Sequence, residues 1–345
     1  MKIAVQVNYA GDYRAWADMV ATYEQAGADM VWVAEAYGFD GVSLLGYLAA
    51  RTERMELAAG ILPIFSRTPT LIAQTAAGLD ALSGGRFHLG LGASGPQVVE
   101  GWHGVPYDHP LERTREIVDI CRKVWARREP LVHRGRYYEI PLPPEQGTGL
   151  GKPLKIINRP LRERIPIWIA ALGAKNVELA AEVAEGWLPI FFLPERASEV
   201  WGEALERGRE KRSEDLGPLQ VAAGGLLAIG DDMAGMAELA RPMVALYVGG
   251  MGARGRNFYN DLMKRYGWEG EAEKIQDLYL DGKKDEAAAV VPREMLELTN
   301  LCGPASWVAE RVAAYREAGV TVLNVVPVGG DPAEQIAKLR ELLAG

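Results

Sequence analysis

Glu35 stands at the end of the apolar run Val31-Trp32-Val33-Ala34, where a bare carboxylate is costly unless it is paired or hydrogen-bonded. Two roles are open to it: a carboxylate that faces a reacting group, or half of a structural ion pair. A second chemical signal is Ala170-Ala171-Leu172-Gly173-Ala174-Lys175-Asn176. Small residues let a ligand approach the backbone, a helix start offers free N–H groups, and Lys175 adds positive charge. Ala171, Gly173, Ala174, Lys175 and Asn176 therefore compose a candidate phosphate-binding turn, the alternative being a plain βα turn. Ser94-Gly95-Pro96 repeats the theme after Gly92-Ala93, since a helix opening at Pro96 favours an anion at its N-terminus. Gly252-Ala253-Arg254-Gly255-Arg256 is a basic, glycine-interrupted patch in an acidic chain. Arg254 and Arg256 could meet an anionic ligand, as could Arg67, or they form surface ion pairs.

Other chemistries are missing. Cys121 and Cys302 lie far apart, giving neither a disulfide framework nor a metal-binding spacing. His88, His103, His109 and His133 form no ligand pattern and read as structural residues. A net charge of −8 argues against nucleic acid as a partner. No apolar run reaches membrane-spanning length and no basic segment precedes an apolar one, so a cytoplasmic protein without membrane association is expected. With 48% hydrophobic and 24% charged residues, the composition is that of a globular enzyme with a large core.

The elements that must position these residues follow a repeated punctuation. EQAGADMVWVAE, ALSGGRFHLGLG, EVAEGWLPIFF and REAGVTVLNVV each read as a helix, a glycine stop and an apolar strand. Gly84-Gly85 closes a helix before the short apolar strand 87–91, which suits burial on both faces. Strands are expected over 2–8, 30–36, 55–64, 87–91, 165–172, 187–192, 219–229 and 320–328. Helices are expected over 13–25, 42–50, 68–82, 112–127, 175–184 and 306–317, with others after Pro194 and Asp331. Thr68 caps one with Pro69 at its first position, and Asp331-Pro332-Ala333-Glu334 reads as a capping box. Residues 131–140 read as a hairpin, followed by a Pro/Gly-rich loop. Residues 233–301 contain several helices and no convincing strand.

Eight strands alternating with helices predict an α/β fold, a (β/α)8 TIM barrel, with 233–301 inserted before the last helix–strand pair and not a separate domain. A doubly wound sheet would place a glycine fingerprint after its first strand, and VQVNYAGDY has none. In a barrel, function sits where strands end. That rule selects Gln6, Asn8, Glu35, Gly60 and the stretch to residue 64, residues 94–97, residues 173–176, and Leu188-Pro189. Trp102, Trp187 and Phe191 are candidates for an apolar ceiling above them.

LDALSGGRFHLGLGASGPQVVEGWHG resembles the signature of the luciferase-like family of flavin- and deazaflavin-dependent oxidoreductases, and more closely its coenzyme F420-dependent branch. The likeness continues through VQVNYAGDY, VWVAEAYGFD, IFSRTPTLIAQTAAGLDALSGGR, AALGAKNVELAAEVAEGWLP, GARGRNFYNDLMKRYG and IQDLYLDGKKDEAA, so it covers nearly the whole chain. It implies the bacterial luciferase-like barrel, an acidic residue near the deazaflavin at Glu35, and a non-proline cis peptide at Gly60-Ile61 behind the cofactor's central ring. Related enzymes acting on sugar phosphates or alcohols commonly follow that acid with histidine. This chain has Ala36, which weakens an alcohol-dehydrogenase reading.

Three readings follow. The first is a coenzyme F420-dependent oxidoreductase passing hydride between the deazaflavin and a small-molecule substrate, with the cofactor's anionic tail near Arg254 and Arg256. The second is an FMN-dependent monooxygenase. The third is a flavin- or deazaflavin-binding protein without turnover. Substrate identity, the direction of hydride transfer and homo-oligomer formation stay open.

Overall fold

The computed structural model describes residues 1–7 and 10–344. Asn8 therefore lies outside the described residues. Eight parallel strands close on themselves: β1 (Lys2–Val7), β2 (Met30–Val33), β3 (Glu56–Ala59, resuming as Leu62–Pro63), β4 (Phe87–Gly92), β5 (Ile167–Ala170), β6 (Gly186–Leu188), β7 (Gln220–Ala223, resuming as Leu226–Ile229) and β8 (Val322–Pro327). β8 returns to β1 with Ala4 opposite Asn324 and Val5 opposite Val325. The barrel is thus the predicted one.

The intervening helices are α1 (Tyr13–Gln25), α2 (Gly41–Arg51), α3 (Pro69–Leu82), α4 (Pro96–Gly101), α5 (Pro110–Ala126), α6 (Ala174–Val183) and α7 (Pro194–Glu210). Helix starts follow local chemistry. The Asp12 carboxylate accepts the Arg14 and Ala15 N–H groups, and the Thr68 hydroxyl accepts that of Leu71 ahead of Pro69. Gly84 and Gly85 take φ of 68° and 86°, the left-handed stop expected of them. Asp331 caps the final helix by accepting the Ala333 N–H, but Glu334 pairs with Lys338 instead of closing the expected box.

Two cores result. Ala4, Met30, Trp32, Ala58, Trp168, Ala222 and Val322 fill the barrel, with Trp32 and Trp168 crossing edge to face at 5.2 Å. The larger core lies between strands and helices. Cys121 belongs to it, as its helical spacing predicts. So does Trp187, which the sequence suggested for a ceiling: its ring packs on Phe192 and Trp201 and its N–H donates to the Ala171 carbonyl at 2.9 Å.

β2 and β5 are shorter than the expected 30–36 and 165–172, and three other strands depart more sharply. β3 is broken at Gly60–Ile61, whose peptide is cis. β7 is broken at Gly224-Gly225, where a side chain has no room: a Cβ would lie 2.2 Å from the Asn324 carbonyl oxygen and 2.3 Å from that of Thr299. β6 ends at Leu188, and Phe191 beyond it has a left-handed φ of 53°. Residues 233–301 are mainly helical, through α8 (Arg241–Ala245), α9 (Phe258–Arg265), α10 (Glu269–Leu280), α11 (Lys284–Val290) and α12 (Arg293–Thr299). They end on a short strand, Leu301–Gly303, which pairs in parallel with the second half of β7 and which hydrophobic patterning had not revealed.

Candidate active site at the barrel mouth

The carboxyl ends of the strands gather most of the residues singled out above. Glu35 follows β2, and there the structure shows the ion pair. Both its oxygens bind the Arg67 guanidinium, with Nη2 donating to Oε2 at 2.8 Å, and Oε2 also accepts the Gly41 N–H at 2.7 Å. The two side chains are only 7% and 13% exposed, so the pair is shielded from water. It ties the ends of β2 and β3 together and caps α2 with a carboxylate, where the helix dipole favours one. Arg67 is thereby committed to Glu35 and is not available to a ligand's tail.

Gln6 points into the barrel, where its Oε1 accepts the Asn324 side-chain N–H at 3.2 Å. The Gly60 N–H donates to the Val33 carbonyl at 2.8 Å, and the Gly60 α-carbon abuts Trp32. The break in β3 explains the glycines of β4. A Cβ at Gly90 would lie 1.9 Å from the Ala59 carbonyl oxygen, and one at Gly92 2.8 Å from Ile61. These two glycines make room for the neighbouring strand. The turn that follows is a different matter: Ser94 has φ of 60°, and Gly95 leads into α4 at Pro96.

After β5 the turn at 171–176 has the form of an anion cradle. Gly173 is the N-cap of α6 and offers no side-chain cap, so the N–H groups of Ala174 and Lys175 have no intrahelical partner. A side chain at Gly173 would meet nothing within 4 Å, so the space in front of this helix end is open. Asn176 bonds back to the Gly173 carbonyl and shapes the turn. Lys175 is exposed and has no ion-pair partner among the described residues. Ala171 is buried, its carbonyl taken by Trp187.

The structure divides the basic patch. Arg254 donates to Asp277 at 2.9 Å in a pair whose side chains are 59% and 63% exposed, an arrangement that contributes little to stability. Arg256 is exposed, with no ion pair among the described residues, at the end of a turn closed by its N–H on the Ala253 carbonyl.

Of an aromatic arc at the mouth, the sequence singled out Phe191 alone, as a candidate for the apolar ceiling. Phe65, beyond β3, lies 5.3 Å from the Tyr107 ring, and the Tyr107 hydroxyl reaches the Ser94 carbonyl at 3.4 Å. On the other side Phe191, beyond β6, meets Tyr247 edge-on at 5.5 Å and Tyr259 at 6.4 Å. Tyr247 and Tyr259 are 4.8 Å apart. Burial, and then the nearby Tyr247 and Tyr107 hydroxyls, push the Tyr259 phenol well above its ordinary range, and both groups of rings include a residue just beyond the carboxyl end of a barrel strand, Phe65 after β3 and Phe191 after β6. The 131–140 hairpin flanks it: Arg113 lies 5.8 Å from the Phe65 ring and 5.0 Å from Tyr137. No period or motif marks Phe65, Tyr107, Tyr247 and Tyr259, and only its position just after a strand could have flagged Phe65, as it did Phe191.

At the far end of the barrel, His88 accepts the Trp168 indole N–H at Nδ1, 3.0 Å away. Burial, reinforced by Lys2 and Arg162, pushes its pKa down to about 3. It is a neutral structural group remote from the mouth, as the sequence suggested.

A family model for luciferase-like monooxygenases matches residues 1–322. A Mycobacterium tuberculosis protein named as a coenzyme F420-dependent oxidoreductase is 42% identical over 348 aligned positions, covering 99% of each chain. The 5,10-methylenetetrahydromethanopterin reductase of Archaeoglobus fulgidus is 28% identical over 91% of this chain and 90% of its own. The solved structure of the coenzyme F420-dependent tetrahydromethanopterin reductase of Methanopyrus kandleri shares the fold, with a TM-score of 0.79 at 23% identity over 98% of this chain and 96% of its own.

Proposed function

The chain belongs to the luciferase-like monooxygenase family, and within it we propose a coenzyme F420-dependent oxidoreductase that transfers hydride between the deazaflavin and a small organic substrate. The observation that carries this reading is the open, uncapped start of α6 beside an unpaired Lys175, in a chain 42% identical to a protein named for that cofactor. The residues present fit the group. The N–H groups of Ala174 and Lys175, with the Lys175 ammonium, would hold its phosphate, aided by the turn at Ser94-Gly95-Pro96. Gly60, Ile61 and Gln6 would lie beside its ring system, and Arg256 is free to meet its anionic tail. When bound, the deazaflavin supplies the two-electron hydride chemistry, which no side chain can provide.

The chain's own residues bind, orient and exclude water. The Glu35–Arg67 pair fixes the ends of β2 and β3, and its geometry favours a positioning role for Glu35 over proton transfer. Phe65, Tyr107, Phe191, Tyr247 and Tyr259 would shield the reacting face from solvent.

FMN is the second reading, because the same cradle accepts its phosphate. The two separate on the tail. Titrating each cofactor against the protein by its visible absorbance should show coenzyme F420 binding more tightly. Arg256→Ala should weaken F420 and leave FMN unchanged, with Arg254→Ala having the smaller effect. Lys175→Ala should weaken both by about fivefold, a charged hydrogen bond discounted for exposure. Equal affinities, or an F420 affinity indifferent to Arg256→Ala, would move the assignment to FMN.

A further inference from the structure

The aromatic arc is built with some conformational cost. Phe191 holds a left-handed backbone, which is rare for a bulky residue and persists only where its surroundings impose it. Tyr247 sits in a π-helical turn, Leu246–Gly250, a distortion that recurs at functional sites. That turn is seated on Tyr279, against which Gly249 and Gly250 have no space for a side chain. The two unusual backbone segments meet each other at the Phe191–Tyr247 contact over the barrel mouth.

The charge around the arc is also distinctive. The cations on the segments that carry it are neutralised: Arg67 by Glu35, Arg113 by Asp108 at 3.0 Å, and Arg241 by Glu238. Lys264 pairs with Glu273, and Arg265 donates to the Val200 carbonyl. Arg256 remains, on the side assigned above to the cofactor's tail. Apart from Arg256 and Arg265, the latter bonded to an uncharged carbonyl, these cations already hold carboxylate partners, so a substrate carboxylate or phosphate under the arc would have to compete for them. Desolvating such a group without a partner is strongly unfavourable. A flat, uncharged molecule would instead gain ring-to-ring contact on several faces.

One polar group stands ready within the arc. The Tyr107 hydroxyl donates its one proton to the Ser94 carbonyl at 3.4 Å, its single hydrogen-bond partner among the described residues, and burial raises the phenol's pKa. It can exchange this weak bond for one to an acceptor between the arc and the barrel mouth.

We propose that the arc Phe65–Tyr107–Tyr259–Tyr247–Phe191 selects a planar, uncharged, conjugated carbonyl compound, whose oxygen accepts the Tyr107 hydroxyl. This deepens the preceding reading and rests on it for the ring below, but it concerns only the side chains above.

The test uses binding to the cofactor-loaded protein, read by quenching of intrinsic fluorescence. Three probes share the planar styryl framework: cinnamaldehyde, cinnamate, and styrene, which lacks the carbonyl group. Cinnamaldehyde should bind at least about tenfold more tightly than cinnamate. Tyr107→Phe should weaken cinnamaldehyde by about 2- to 12-fold, the worth of one neutral hydrogen bond. The same change should leave styrene unaffected. Tyr259→Leu, which removes a face of the arc, should weaken cinnamaldehyde and styrene together. Cinnamate binding as tightly as the aldehyde would overturn the substrate class. Equal loss of aldehyde and styrene in Tyr107→Phe would overturn the hydroxyl's role. Cofactor affinity is measured separately on each variant. Preference for FMN would refute the cofactor reading alone, and the probe series would then be decided on the FMN-loaded protein.

Discussion

Replacing Glu35 with alanine probes the mouth of the barrel most directly. The change removes both acceptors from Arg67 and the acceptor of the Gly41 N–H. Taking one partner from a buried ion pair costs about 3–5 kcal/mol, because the remaining charge is stranded. Arg67 is 13% exposed and keeps a bond to the Ser66 hydroxyl at 3.1 Å, which pulls its share to the lower half of that range. The uncapped Gly41 N–H adds about 1 kcal/mol, for a total of about 4 kcal/mol. Unfolding entropy near 2.1 cal/mol/K per residue amounts to about 0.7 kcal/mol/K over this chain, so Tm should fall by roughly 5–6 °C. Glu35→Gln retains an acceptor for Gly41 and should fall between alanine and wild type. The decisive variant is the double change Glu35→Ala with Arg67→Ala, which strands no charge. It should be less destabilised than the sum of the single changes by about 2 kcal/mol in denaturant titrations. Additivity within 0.5 kcal/mol would refute the coupled pair.

Three further outcomes follow from the same geometry. Gly90→Ala places a Cβ against the Ala59 carbonyl and should cost more than about 3 kcal/mol or abolish folding, whereas Gly46→Ala, in open space within α2, should stabilise by about 0.5–1 kcal/mol; urea midpoints decide both. His88 has a folded-state pKa near 3, below its unfolded value of about 6.5, so the unfolded chain takes up the proton first as pH falls. Its contribution is complete above about pH 6.5 and is lost toward pH 3, by up to about 1.4 kcal/mol per unit; His88→Gln should flatten that limb of the stability–pH curve, and an unchanged slope would contradict the assignment. We also propose that residues 233–301 unfold together with the barrel, since Tyr266 accepts the Leu193 N–H and donates to the Phe191 carbonyl; two separate transitions by circular dichroism and tryptophan fluorescence would refute this.

What the sequence disclosed was local. The glycine stop at Gly84-Gly85, the Thr68-Pro69 start and the span of α1 depend on neighbours within a few residues, and patterning reads such neighbours well. The break in β3 was expected only through the family resemblance, which implied the cis peptide at Gly60-Ile61 that the structure has, and the break in β7 did not register, because apolar composition continues through Gly224-Gly225 while the backbone turns aside. Gly92 shows how a correct pattern can carry the wrong cause. Its place at the head of a Gly-rich turn suggests a backbone bared to a ligand. In three dimensions it is needed, like Gly90 before it, because the third strand leans against the fourth.

The site was half legible for a related reason. A βα turn is a local object, so the small residues and helix start at Gly173-Ala174-Lys175-Asn176 could be read from their own composition, and the structure shows an uncapped helix start there; that it holds a phosphate is what we propose. The ion pair and the arc are not local. Glu35 is 32 residues from Arg67, and the buried run that made the carboxylate conspicuous held no information about what would neutralise it. Arg67 was conspicuous too, but as a lone cation on a loop, and the same residue reads as a ligand contact until its partner is seen. The arc is harder still, since its five rings come from four segments, each with one or two aromatics that would pass for ordinary core. Their common property is position: each segment leaves or packs over the carboxyl end of the barrel. A barrel converts sequence-distant loops into one surface, so residues that meet at its mouth share neither period nor motif, and the closure of β8 on β1 is what brings them together.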